Sequence, residues 1–221
     1  LHEPGYMGVK NLLRTGQFFG LQYIYQTLTN SDGADPIDYP AIMANPAEFE
    51  LVATDAATGK PVYFTKDDMK QDDYRAIMAS CALPVMCRPI SFKDQTYFDG
   101  GLSDSVPIMR AFAKGCDRVV VILSKPRSFV KQPEGFRHIY RHALRKYPQT
   151  IAALDNRHLM YRQNIADVKK QESAGKALVF APSKELKMST YARDEKLEQE
   201  LYDLGTSDFD ARLNELHTFL S

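Results

Sequence analysis

The chain has 221 residues, 44% apolar and 25% charged, a composition that excludes disordered and fibrous architectures and fits one globular domain or a core with a modest extension. A chain of this length buries roughly 70% of the surface its unfolded form exposes, so no disulfide scaffold is required. The 28 basic and 28 acidic residues cancel, and the whole-chain field therefore points neither to nucleic acid nor to a strongly acidic partner.

Within the first forty residues, Phe18, Leu21, Tyr25 and Leu28 recur at helical spacing until the polar cluster Thr29–Gly33 breaks the pattern. A short helix is predicted from Pro36 to Ala44. The β-branched stretch Phe49–Asp55 then reads as a buried strand, and Thr58-Gly59-Lys60-Pro61 turns it back into a second strand at Val62–Phe64. Asp67-Asp68 is placed to cap a helix running through Tyr74, Ile77 and Met78 to Ser80, which Ala82-Leu83-Pro84 stops. A second hairpin, Ile90–Phe92 with Thr96–Phe98, leaves Asp99-Gly100-Gly101 just beyond a strand end, where α/β proteins put their chemistry.

Ser105 or Asp104 is expected to cap the next helix, with Pro107 in its first turn and Gly115 closing it. The apolar run in Arg118–Ser124 is the strongest strand signal and predicts a strand covered on both faces. A helix leading into such a strand implies parallel α/β. Beyond Lys125-Pro126 the pattern is mostly helical, at about 134–146, 148–173, 191–204 and 207–220, with one strand at Ala177–Ala181. A boundary is therefore placed at 125/126: a first domain over 1–125 and a helical extension over 126–221.

The longest apolar run, Val119–Leu123, is too short to span a bilayer. The opening residues, Leu1 to Gly5, lack the build of a signal peptide, and a chain that begins with Leu reads as processed, engineered or a piece of something longer. Cys81, Cys87 and Cys116 show no metal-ligand or disulfide spacing, and His138 and His142 lack a third ligand, so no metal is expected. Those cysteines fit a cytoplasmic or peripheral-membrane location. Between Lys125 and Lys146 seven Lys or Arg face a single acid, Glu134, whereas residues 192–215 hold eight acids and three bases. The basic stretch, with Phe136, Ile139, Tyr140 and Leu144 among its charges, suits either contact with an anionic membrane or a solvated helix packing its apolar stripe on the core.

Ser80 to Ile108 is the most informative segment: S-C-A-L-P, then Y-F-D-G-G-L-S-D-S-V-P-I, with V-V-V-I-L after it and V-A-T-D-x-x-T-G-K-P-V-Y-F before it. In this ordered series the chain resembles the patatin-like phospholipases, of the bacterial stand-alone type, over about residues 1–125. The resemblance implies a three-layer α/β/α domain, incomplete at its N-terminus, and a serine acyl hydrolase cleaving lipid carboxylic esters, with phospholipids the substrate expected from the family, without metal or organic cofactor. It makes Asp99 the proton acceptor of a Ser-Asp dyad, and Gly100 and Gly101 the tight turn, open to φ > 0, that lets the carboxylate face the nucleophile. The Gly-rich oxyanion loop and the G-x-S-x-G elbow of such proteins do not occur in these 221 residues, so the nucleophile is expected on an upstream segment and the isolated chain is expected to be inactive.

Ser80 and Ser103 lie near the motif but not on a strand-to-helix elbow. Asp55 reads as a hairpin-turn residue and Asp104 as a helix cap, although many of the family carry Asn near this position. Two other readings remain: a non-catalytic binding or regulatory protein on the same scaffold, and an unrelated α/β protein whose D-G-G turn is only structural.

Overall fold

The computed structural model describes residues 5–186 and 194–221. The chain has a mixed α/β fold with a mostly helical C-terminal region. It forms two compact units: one ends at Ser105 and also takes in Pro133–Met160, and the other comprises Val106–Gln132 and Tyr161–Ser221. The 125/126 position lies within the second unit, whose two segments are tied by strand pairing.

The first unit is built on a four-stranded antiparallel sheet in the order β2-β1-β4-β3. Its strands are β1 (Glu50–Asp55), β2 (Pro61–Thr65), β3 (Ile90–Phe92) and β4 (Gln95–Asp99). Successive strand residues point to opposite faces, so neighbours on β4 enter different cores. Tyr97 joins Ala53, Phe64, Met78 and Ala79 on the face covered by the helix Arg75–Ser80, while Phe98, completely buried, joins Ala56, Leu102, Tyr140, Leu144 and Leu154 on the other. Helices therefore cover both faces of this sheet, in the three layers expected.

Several local expectations are revised. The helix Arg75–Ser80, third in the chain after α1 (Val9–Thr15) and α2 (Tyr39–Ala44), is not capped by Asp67 or Asp68. Asp68 instead turns back on Thr65, accepting its backbone N–H at 2.6 Å in a capping box that closes a separate 3-10 turn at Lys66–Asp68. The helical spacing around Tyr25 becomes a π-helical turn, Tyr23–Leu28. The predicted helix over 134–146 shrinks to α5 (Arg137–Ala143), because Phe136 before it sits at φ +52. α6 spans Pro148–Ser173, as the periodicity predicts.

In the second unit, α4 (Ile108–Ala113) leads into β5 (Val119–Ile122), which pairs in parallel with β6 (Ala177–Phe180), Val119 opposite Ala177. Parallel pairing is confined to this ribbon. β5 is not covered on both faces: Val121 is buried, but Ile122 is 80% exposed, and among the described residues β5 has no strand on its other edge. The last helices are α7 (Glu195–Asp210) and α8 (Leu213–Leu220), divided at Ala211-Arg212 rather than near Gly205. The first residues of the predicted 191–204 helix, like Leu1–Pro4, lie outside the described residues.

Candidate active site

Three contacts fix the main chain of Asp99, the last residue of β4. Pairing with β1 sets Ala53 opposite it, and the Thr54 hydroxyl donates to its carbonyl at 2.8 Å. Its N–H donates to the Ala82 carbonyl at 2.9 Å, which is how the A-L-P segment and the D-G-G turn meet in space. Asp99 then caps the 3-10 turn Gly100–Leu102, its Oδ1 accepting the Gly101 N–H at 2.7 Å.

Both glycines are required by space rather than by backbone conformation, since neither has a positive φ. A Cβ on Gly100 would lie 2.1 Å from the Val52 carbonyl oxygen, in the middle of β1. One on Gly101 would lie 2.8 Å from Asp99 Oδ1 and would push into the carboxylate itself. The expected freedom for φ > 0 is thus not what the turn uses.

Electrostatically the carboxylate is poised toward holding a proton. Burial pushes the Asp99 carboxyl above its ordinary range, and the Gly101 N–H and the charge of Arg157 oppose that rise without cancelling it. Arg157, on α6, donates from Nε to the Gly101 carbonyl at 2.8 Å and from a terminal nitrogen to Glu134 at 3.1 Å. Ser105 Oγ donates to the same carbonyl at 2.8 Å. Two thiols also face Asp99: burial raises the Cys81 thiol and pushes that of Cys87 up to about 11, so both are neutral at physiological pH and poor nucleophiles.

The other candidates separate cleanly. Asp55 is a turn residue, accepting the Thr58 N–H at 2.7 Å and its hydroxyl at 2.8 Å. Neither Asp104 nor Ser105 caps α4, whose N-cap is Pro107; Asp104 instead accepts the Tyr63 hydroxyl at 2.6 Å across the sheet end, and Ser105 turns to Gly101. Ser103 Oγ lies 2.8 Å from Thr54 Oγ1, inside the network that supports Asp99, and Ser80 is the last residue of its helix. Arg157, Glu134 and Thr54 escaped the sequence reading because no local spacing links them to the motif.

Residues 7–112 match the family described as patatin-like phospholipase, and residues 147–221 match a domain of unknown function, DUF6363. Over 110 residues the chain is 29% identical to the Escherichia coli (strain K12) protein called "Uncharacterized protein YjjU". That alignment covers 43% of this chain and 30% of YjjU, so the chain spans under a third of this curated relative. Residues 7–112, which hold Asp99 and the elements that fix it, carry the match to the patatin-like phospholipase family.

Proposed function

We propose that this chain is part of a serine acyl hydrolase of the phospholipase A or lysophospholipase kind, with Asp99 as general base and the nucleophilic serine outside these residues. The observation that carries the reading is the Asp99 carboxylate: half-buried at a strand end, held on one oxygen by a backbone N–H, and raised in proton affinity as a base requires. The serine hydroxyl would attack the ester carbonyl while its proton passes to Asp99, and the alcohol would leave with that proton. Asp99 would then take a proton from water as it attacks the acyl-enzyme, releasing the fatty acid and regenerating the serine. Gly101, where a Cβ would lie 2.8 Å from Asp99 Oδ1, keeps that side of the carboxylate clear, and Gly100 lets the turn pack against β1.

The test is fluorophosphonate labelling read by intact mass, on the 221-residue chain and on the full protein that its gene encodes. Label on the full protein alone supports a divided dyad. Label on the chain itself places the nucleophile within it, and label on neither favours a binding protein on this scaffold. Asp99→Asn in the labelled protein should lower ester turnover by about 10²–10⁴-fold, and an unchanged rate rejects its role as base.

The lipid partner is supported by α5, where the apolar residues divide. Tyr140 and Leu144 pack in the core, but Phe136 is 83% and Ile139 58% exposed, among the exposed Arg137, His138, Arg141, Arg145 and Lys146. Asp155 on α6 engages Arg137 at 3.1 Å and Arg141 at 2.6 Å, leaving the surface net basic. An aromatic and an isoleucine within a ring of cations suit peripheral contact with an anionic bilayer. Among the described residues no helix is long and apolar enough to cross a membrane. Flotation with phosphatidylserine vesicles should exceed that with neutral vesicles and fall in Phe136→Ser; equal binding to both rejects this contact.

A further inference from the structure

We propose that Arg157 is a positioning residue for the Asp99 turn: α6 delivers its guanidinium to the Gly101 carbonyl, and Glu134 anchors the other end of the same group. This role for a residue within the DUF6363 match, outside the patatin-like match, rests for its catalytic meaning on Asp99 being the base, whereas the coupling itself is a property of the folded chain.

Gly101 is the link. Its N–H holds the Asp99 carboxylate at 2.7 Å, and its carbonyl accepts from Arg157 Nε and from Ser105 Oγ, each at 2.8 Å. The two groups belong to adjacent peptide planes that share the Gly101 Cα, so a carbonyl pinned by Arg157 and Ser105 limits the φ and ψ rotation by which the N–H could leave the carboxylate. The Arg157 and Glu134 side chains are only 24% and 27% exposed, which shields their 3.1 Å pair from the full screening of water. A Cβ at Gly101 would touch both Asp99 Oδ1, at 2.8 Å, and an Arg157 terminal nitrogen, at 3.3 Å, so cation and carboxylate flank the same small space.

The groups acting on Asp99 come from each element around it. Cys81, at the end of its helix, and Cys87 in the following loop are neutral where a carboxylate titrates, because burial raises both thiols. Beyond Cys81 lies Tyr25, its hydroxyl 3.8 Å from Sγ and also raised by burial. Asp104 is engaged with Tyr63, and Glu134 lies on the far side of Arg157. Arg157 is therefore the charged side chain that favours the ionised Asp99, and an arginine suits the task because its planar fork serves the carbonyl and Glu134 together.

The experiment is carboxyl-carbon NMR titration of Asp99, with amide hydrogen exchange at Gly101, in the 221-residue chain and in Arg157→Gln, Arg157→Lys and Glu134→Gln. Arg157→Gln should move the Asp99 midpoint upward, because a cation that stabilised the carboxylate is gone, and speed Gly101 exchange about tenfold. Arg157→Lys should keep the midpoint nearer the parent but still lose protection at Gly101. Glu134→Gln should loosen Gly101 with the cation retained. An unmoved midpoint and unchanged Gly101 protection in Arg157→Gln would overturn the proposal. Should that variant fail to fold, parent-like Gly101 exchange in both of the others would overturn it equally.

In the full protein Arg157→Gln should lower kcat about tenfold, shift the acid limb of the pH profile upward and leave KM nearly unchanged. The two readings fail separately. Full activity in Asp99→Asn removes the base but not the NMR coupling, while an absent coupling leaves the base in place.

Discussion

Replacing Gly100 with alanine tests the idea that the D-G-G turn is set by space. The added Cβ would fall 2.1 Å from the Val52 oxygen, 2.5 Å from its carbonyl carbon and 2.7 Å from its Cβ. None of these atoms can swing aside, because Val52 lies mid-strand, paired with Tyr63, and β1 is flanked by β2 and β4. Turn and strand must part by about 1 Å to reach even a tight contact, which loosens the pairing of Ala53 with Asp99 and the Thr54 bond. Overpacking against backbone of this kind costs about 3 kcal/mol or more. With a urea dependence of about 2 kcal/mol/M, the unfolding midpoint should fall by roughly 1.5 M, followed by far-UV circular dichroism. Gly135→Ala is the control, since its Cβ would meet nothing within 4 Å. It should change stability by no more than about 0.5 kcal/mol. Equal midpoints for the two variants would refute the steric reasoning.

Asp99 and Asp155 should make opposite contributions to pH-dependent stability. The folded-state pKa of Asp99 is raised, so its ionisation costs stability, and the urea midpoint of Asp99→Asn relative to the parent should improve as pH rises from about 3 to 7. Burial pushes the Asp155 carboxyl up, but Arg137, Tyr140 and Arg141 together outweigh it and hold the carboxyl far below the usual range, so its stabilisation is full at neutral pH and is lost on acidification. Asp155→Asn should therefore be weaker than the parent at pH 7, and the gap should close toward pH 2; a gap that widens in acid contradicts the arrangement. For the cysteines, brief alkylation of the folded chain at pH 8 should modify the exposed Cys116 first, with Cys81 and Cys87 at least about tenfold slower by peptide mass. Comparable rates at all three would contradict the burial of the other two.

Much of this could be read along the chain where neighbouring residues decide the outcome. α6 follows from unbroken periodicity between Pro148 and Gly175, and the β1–β2 hairpin from a β-branched run turned by Thr58–Pro61. The errors fall where a distant group wins. Asp104 has the chemistry of a helix cap, but the Tyr63 hydroxyl, 41 residues away, takes its carboxylate. Asp68 prefers the backbone of Thr65 to a helix that starts seven residues later. At the site, Asp99 with its two glycines is legible because the three are contiguous and embedded in an ordered series. Arg157 is not, being one of many arginines until folding brings it 56 positions back to the Gly101 carbonyl.

The β5–β6 ribbon bears on how this polypeptide behaves in bulk. β5 carries Val119, Val120, Val121 and Ile122 in succession, with β6 on one side and, among the described residues, no strand pairing its other edge. Such an edge is a template for another strand, and Ile122 gives it an apolar side to seat on. With no net charge on the chain, long-range repulsion is weakest near neutral pH. Association through β5 would be second order in protein, so the 221-residue chain should keep best when dilute and away from pH 7, and Ile122→Lys should extend its shelf life without touching Asp99.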